Sequence, residues 1–163
     1  MKTFWRVLLT TLTVLSLIFI FYNSLQSVAE SGARSRAVSR TVSQGVETVT
    51  GQTMTKTERQ SFHQLIRKAA HAVEYGAFTF FAVLCLFSWL GRLKGWPLAA
   101  FGFAALVSVA DELLQRIPKG RFPRALDVLY DLAGAVLGLA VAALIAFLVA
   151  RRRKKHELGL FVA

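Results

Sequence analysis

Three sets of polar side chains that can transfer protons interrupt apolar stretches of this sequence: His71 with Glu74, Asp111 and Glu112 with Gln115, and Asp127 with Asp131. The first pair is three residues apart and the last pair four, so in a helix each pair occupies one face. An imidazole near carboxylates can act as general base and acid in phosphoryl or acyl transfer between alcohols. The spacing therefore predicts an acid–base site wherever the fold brings the three sets together.

The middle set contains two adjacent acids, which point about 100° apart on a helix of 3.6 residues per turn. They cannot both point the same way, and we predict that Glu112 rather than Asp111 faces the interior of the bundle. Gln115 is three residues from one acid and four from the other, so it can neighbour either of them.

Composition places these side chains in a membrane protein. Hydrophobic residues make up 55% of the 163-residue chain, and its mean hydropathy is +0.49. Four apolar segments have the roughly 18–24 residues that a hydrocarbon layer of about 30 Å requires: residues 5–22, 69–90, 96–114 and 126–150. We therefore predict an all-α polytopic membrane protein, with residues 1–163 forming one domain that has four transmembrane helices.

The order of the four segments brings the polar sets to one face of the membrane. His71 and Glu74 open the second segment, Asp111 and Glu112 close the third, and the aspartates open the fourth. Consecutive segments cross in alternating directions, so these three ends lie at the same face whichever side of the membrane it is. The sequence thus predicts one shared polar pocket near one leaflet.

Basic residues indicate which face is cytoplasmic. Lys2 and Arg6 precede the first segment, no basic residue follows it before Arg34, and residues 151–155 are the densest basic cluster. The positive-inside rule then predicts cytoplasmic termini, including the basic tail 151–163, and an extracytoplasmic loop 23–68. The alternative for the first segment is a signal peptide cleaved near Ala29, but an apolar run of about 16 residues favours a retained helix.

The loop 23–68 carries two helical signals. Four valines recur at three- to four-residue spacing and predict a weakly amphipathic helix: Val38, Val42, Val46 and Val49. Thr57 with Gln60 is typical of a capping box, so the second transmembrane helix is predicted to begin near Glu58, before the hydrocarbon. A solvated linker with only transient helix is the alternative.

Several acids in a membrane need compensation, because each costs about 2.5–3.5 kcal/mol at the bilayer centre. The helix N-terminus stabilises Asp127 and Asp131 by about 0.3–1 kcal/mol each. Arg121 and Arg124, in a loop rich in Pro and Gly, can pair with these acids, bind phosphate, or anchor the loop to anionic lipid heads. A network that only holds the helices together is the alternative, but close packing is already provided by Gly134 and Gly138.

Other functional classes lack a signal. The net charge of +11 comes from basic residues that flank apolar segments, and none of them forms a nucleic-acid-binding motif, so we predict no nucleic-acid partner. The single cysteine, Cys85, excludes an intramolecular disulfide and a cysteine zinc cluster. No nucleotide loop, serine elbow or redox cysteine pair is present, and we predict no cofactor.

Taken together, the polar residues resemble the VanZ-like membrane proteins. The resemblance is carried by Lys68-x-x-His71-x-x-Glu74-Tyr75, Asp111-Glu112-x-x-Gln115, Gly120-Arg121, Asp127-x-x-x-Asp131-x-x-Gly134, and Phe21-Tyr22-Asn23-Ser24-Leu25-Gln26 at the end of the first segment. It covers residues 5 to about 150 and implies an integral protein of the bacterial cell membrane, in a family linked to low-level teicoplanin resistance. In that family the position of Asp131 is commonly Asn.

The resemblance and the polar pocket suggest an enzyme that acts on lipid or lipid-linked headgroups at the outer membrane surface. In this interpretation His71 or Glu74 is the base, Glu112 is its acid partner, and Asp127 orients His71 or Arg121. Residues expected to bind the substrate are Arg121, Arg124, Gln115, Tyr75, Asp111 and Asp131.

Two other functions remain open at this point. The first is a non-catalytic accessory protein that binds lipoglycopeptide or cell-wall precursors at the membrane. The second is a metal site made by His71, Glu74, Glu112 and Asp127. Because the pocket contains only one histidine, we predict that no metal is bound.

Overall fold

The computed structural model describes residues 2–91, 95–118 and 124–160, which form five helices. These are α1 (Lys2–Ser24), α2 (Val28–Thr50), α3 (Lys56–Leu90), α4 (Trp96–Leu114) and α5 (Ala125–Leu160). All except α2 are long and apolar enough to cross a membrane. The predicted all-α architecture with four membrane-spanning helices is therefore confirmed.

Two of the helices extend beyond the apolar segments that predicted them. Helix α3 begins at Lys56, well before the apolar run, and α5 continues through the basic cluster after Ala150. Backbone hydrogen bonding continues through polar residues in both places, whereas hydropathy detects only the part of a helix that suits the hydrocarbon layer.

Helices α3 and α5 make the most extensive contact in the bundle, and glycine permits it. A Cβ atom added at Gly134 would overlap the carbonyl of Ala72, and one at Gly138 would overlap the carbonyl of Gly76. The predicted close-packing face is thus confirmed. Ala72 directly follows His71, so the closest approach of the two helices lies beside the polar residues of both.

Helix α1 packs against α3 in the antiparallel direction. Near one end of the pair, Arg6 donates a hydrogen bond to the carbonyl of Ser88 at 3.0 Å. Near the other end, the side-chain amide of Asn23 donates to Glu74 Oε1 at 3.1 Å. The last turn of α1 is therefore held at the end of the bundle where the polar sets were predicted to meet.

Helix α2 confirms the predicted helical character of the loop, and serines are more deeply buried in it than the valines of the predicted stripe. Ser39 and Ser43 are its buried side chains, whereas Val38, Val42 and Val49 are exposed. Helix α2 packs against α3, and small buried side chains of this kind permit helices to approach closely in membranes. Val38, Val42 and Val49 lie beside this face, whereas Val46 is partly buried near the start of α3. Helical spacing alone does not show which neighbour a stripe contacts.

Capping boxes begin both α2 and α3. The predicted box at Thr57 and Gln60 is wrong, because Thr55 is the N-cap of α3 and exchanges hydrogen bonds with Glu58. Ser27 and Glu30 make the same exchange at the start of α2. Thr57 already lies inside the first turn of α3, where its backbone is helical.

The cap of α2 should make the start of this helix sensitive to acid. Hydrogen bonds from Ser27 hold the pKa of the Glu30 carboxyl below its usual value of 4.5. Because the pKa is lowered on folding, the stabilisation is present above the usual pKa and is lost as the pH falls through the lowered one. We expect the backbone NMR shifts of residues 28–32 to lose helical character in acid. If residues 28–32 of Glu30→Gln lost their helical shifts in acid to the same extent as in wild type, this prediction would be contradicted.

Candidate functional site

The polar ends of α3, α4 and α5 meet at one end of the bundle. His71 Nδ1 lies 3.6 Å from Asp131 Oδ1. His71, Asp111 and Asp131 each have one nitrogen or oxygen atom that could bind a metal, and these three atoms lie within 4.8 Å of one another. Asp111 and Asp131 are only 1% and 0% exposed. Helix α1 joins this cluster, because the hydroxyl of Ser24 donates to Asp111 Oδ1.

Asp131 is positioned to orient the imidazole of His71. The hydroxyl of Ser108 donates to Asp131 Oδ2 at 2.7 Å, which fixes the carboxylate. The other oxygen faces His71 and accepts no hydrogen bond from the described part of the chain. Gly134 lies one turn later on α5, so the close crossing of α3 and α5 determines the spacing of this pair. A carboxylate at Nδ1 favours the tautomer that leaves Nε2 able to accept a proton.

Both acids of α4 face the interior, so the prediction that only Glu112 does so is wrong. Gln115 Nε2 lies 3.2 Å from Asp111 Oδ2 and 3.3 Å from Glu112 Oε1, and it donates to both. Asp111 points towards α1, whereas Glu112 accepts the main-chain N–H of Arg124 at 2.8 Å. The end of α4 contacts both α1 and α5, so two directions about 100° apart are both interior.

Other residues predicted for the site take different positions. Asp127 pairs with Arg67 at 3.6 Å, and the carboxylate that faces His71 is Asp131 instead. Tyr75 is fully buried. The side chain of Arg124 is exposed. Arg121 lies outside the described residues.

His71 and Glu74 form part of the wall of a cavity of about 270 Å³ between α1, α2 and α3, here called the polar groove. The His71 side chain is 18% exposed there. The polar groove also contains six polar or charged side chains that the sequence did not predict for the site: Asn23, Gln26, Ser31, Arg34, Ser35 and Arg67. An acid–base pair and two arginines therefore share one concave surface.

A second cavity, of about 580 Å³, lies next to the polar groove along α1 and α3 and is called the apolar groove. The two cavities share Phe19 and Glu74. The remaining wall is almost entirely apolar and consists of Leu12, Leu15, Ser16, Ile18, Tyr22, Val73 and Ala77. A molecule in these grooves would place a polar part beside His71 and an apolar part against the two helices.

A further cavity of about 520 Å³ lies between the end of α2 and the start of α3. Its one carboxylate, Glu58, is engaged in the capping box of α3, and its walls contain no imidazole. Among the cavities given by the described residues, the polar groove is therefore the one lined by both an imidazole and a carboxylate.

The donor set for a metal differs from the one considered from sequence. His71, Asp111 and Asp131 offer one nitrogen and two oxygen donors in mutual reach, which suits a divalent metal such as Mn²⁺ or Zn²⁺. Both oxygens of Asp111 accept hydrogen bonds, from Ser24 and Gln115. The carboxylate of Asp111 is thus already held in place by hydrogen bonds from protein side chains.

Fold and site together define a polytopic α-helical membrane protein whose helix ends enclose a cluster of acids with one histidine. The chain belongs to the VanZ/LLP1 family, whose model matches residues 9–147. The resemblance drawn from the sequence is thereby confirmed, and the matched range contains every candidate site residue from His71 to Asp131. No curated protein and no solved structure matches the chain.

Proposed function

We propose that this protein is a membrane-embedded enzyme that transfers an acyl or phosphoryl group on lipid or lipid-linked headgroups. The observation that carries the proposal is the position of His71, in the wall of the polar groove with Asp131 facing its ring at 3.6 Å. A base oriented by a carboxylate, on a partly open surface, is the arrangement that general-base catalysis requires.

Glu74 is better placed than Glu112 to be the acid partner of His71. Glu74 lines the same groove and is oriented by the amide of Asn23. Glu112 is 5% exposed and accepts hydrogen bonds from Gln115 and from the main chain of Arg124, which fits a supporting role. The proposed catalytic residues are therefore His71 and Glu74, with Asp131 as the positioning residue.

The proposed setting is the outer surface of the bacterial cell membrane, with both chain termini in the cytoplasm. Chemistry on headgroups there would change how a lipoglycopeptide partitions into the membrane, which connects the site with teicoplanin resistance. The alternative is an accessory protein that binds lipoglycopeptide or wall precursors without chemistry, using Arg34 and Arg67 of the polar groove.

Two substitutions of Asp131 test the positioning role. Asp131→Asn keeps an oxygen towards His71 and a polar group towards Ser108, so we expect conversion of labelled bacterial lipids within about tenfold of wild type. Asp131→Leu removes both, and we expect a loss of at least about 100-fold, the usual scale of acid–base catalysis. The measurement is mass spectrometry of lipids incubated with purified protein.

Different results would contradict the role of Asp131 and the proposal of an enzyme. Full activity of Asp131→Leu would contradict the role of Asp131. If wild type converts no lipid, and Glu74→Gln still confers full teicoplanin resistance on cells, the enzyme is excluded in favour of the accessory protein.

A further inference from the structure

We propose that the substrate is an anionic glycerophospholipid, bound with its phosphate between Arg34 and Arg67, one acyl chain in the apolar groove, and an ester bond beside His71 and Glu74. This inference rests on the proposed function and specifies its substrate and the bond that reacts. It follows from the two arginines of the polar groove, from the wall residues that the two grooves share, and from the order of residues along α3.

Two arginines, Arg34 and Arg67, line the polar groove. The side chain of Arg67 is half-exposed and forms a salt bridge with Asp127 at 3.6 Å. Arg34 forms no salt bridge with the described residues. Arg34 donates to Asn23 Oδ1 at 3.4 Å and lies over the ring of Tyr22 at 5.8 Å, which directs it along this wall. Each guanidinium can donate two parallel hydrogen bonds, so the pair suits the oxygens of a phosphate group.

The apolar groove suits one hydrocarbon chain. It adjoins the polar groove at Phe19 and Glu74, and its wall from Leu12 to Phe19 extends for about 10 Å at 1.5 Å per residue. A chain lying there contacts Leu15, Val73 and other apolar side chains, while a second chain of the same lipid can remain in the surrounding bilayer. The occupant is therefore an amphiphile whose head and tail bind at defined places.

The order of residues along α3 identifies the reacting bond. Arg67, His71, Glu74 and Ala77 follow one another at intervals of about one turn, from the charged end of the wall to the apolar end. In a glycerophospholipid the ester linkages lie between the phosphate and the acyl chains. With phosphate at Arg67 and a chain at Ala77, the ester lies beside His71 and Glu74. Of the two transfers considered, this placement selects acyl transfer.

The step needs only the lipid and a hydroxyl acceptor, either water or an alcohol. The acceptor oxygen attacks the ester carbonyl carbon while His71 Nε2 takes its proton, and a new acyl C–O bond forms. The original acyl C–O bond then breaks, and the proton on His71 passes to the departing glycerol oxygen. A lysophospholipid and a free or transferred acyl group result, with no oxidation or reduction.

Binding of short-chain lipids to the detergent-purified protein tests the inference independently of turnover. By microscale thermophoresis we expect dioctanoyl-phosphatidylglycerol to bind at least about tenfold more tightly than dioctanoyl-phosphatidylcholine, with Arg34→Gln and Arg67→Gln each removing about tenfold. Arg40→Gln is the matched control, because Arg40 is exposed on α2 and outside the grooves, and its affinity should be unchanged. Thermal melts of each variant show that the fold is retained.

The possible results separate this inference from the proposed function. Equal binding of the two lipids, unchanged binding by both arginine variants, or tighter binding of farnesyl phosphate overturns the phospholipid assignment. Phosphoryl products in place of lysophospholipid overturn the placement of the ester. Lysophospholipid formation that persists in His71→Gln, with arginine-dependent binding intact, overturns the proposed catalytic function and leaves the binding site standing.

Discussion

Gly134→Ala is expected to destabilise the folded bundle by about 1–3 kcal/mol, because the added methyl group overlaps the carbonyl of Ala72. Alanine is normally the better helix former, so the usual effect of this substitution has the opposite sign. The backbones of α3 and α5 would have to move apart at the point where His71 faces Asp131. The measurement is the free energy of unfolding in mixed detergent and denaturant, followed by circular dichroism.

Gly102→Ala is the matched control for this prediction. Gly102 also lies within a membrane-spanning helix, but a Cβ atom there meets no neighbour within 4 Å. We expect this variant to be as stable as wild type or up to about 1 kcal/mol more stable. If both alanine variants were stabilised equally, the close contact of α3 with α5 would be refuted.

His71→Gln is expected to reduce lipid conversion by about 10²- to 10⁴-fold, the range typical of general acid–base catalysis. Glutamine keeps a polar amide near Asp131, but it cannot accept and return a proton near neutral pH. The thermal stability should change little, since the substitution preserves a polar side chain of similar reach. Initial rates of product formation from labelled phospholipid provide the measurement.

Gln64→Ala serves as the control on the same helix. Gln64 is exposed on α3 and does not line the polar or apolar groove, so its rate should match wild type. Wild-type rates in both variants would show that the histidine carries no proton in the reaction. Loss of activity in both would instead indicate that the assay reports general damage to α3.

The meeting of the polar helix ends was predictable because it depends on topology alone. Four hydrophobic segments must cross the bilayer alternately, so the ends that contain His71, Asp111 and Asp131 had to share one face. The close packing at Gly134 was likewise visible, since small residues four apart commonly mark helix contacts in membranes. Features that depend on one segment, or on the direction in which it crosses the bilayer, can be predicted without knowledge of the tertiary structure.

The groove itself was not predictable, because α2 builds one of its walls. Helix α2 packs against α3, and its buried side chains include Ser39 and Ser43, which have no distinctive hydropathy. Arg34 therefore looked like one basic residue of a polar loop. Similarly, the choice between Asp111 and Glu112 assumed one interior direction at the end of α4, whereas α1 and α5 create two. Which helices flank a side chain is a property of packing.

The most direct test of a lipid site at His71 is photo-cross-linking with a phosphatidylglycerol that carries a diazirine next to its ester. After irradiation with the purified protein, the adducts are located by peptide mass spectrometry. We predict adducts within residues 67–77 of α3 and 19–34 of α1 and α2, which contain the shared wall of the two grooves. Adducts spread over the outer face of α5, at exposed residues such as Leu137 and Leu144, would contradict the account.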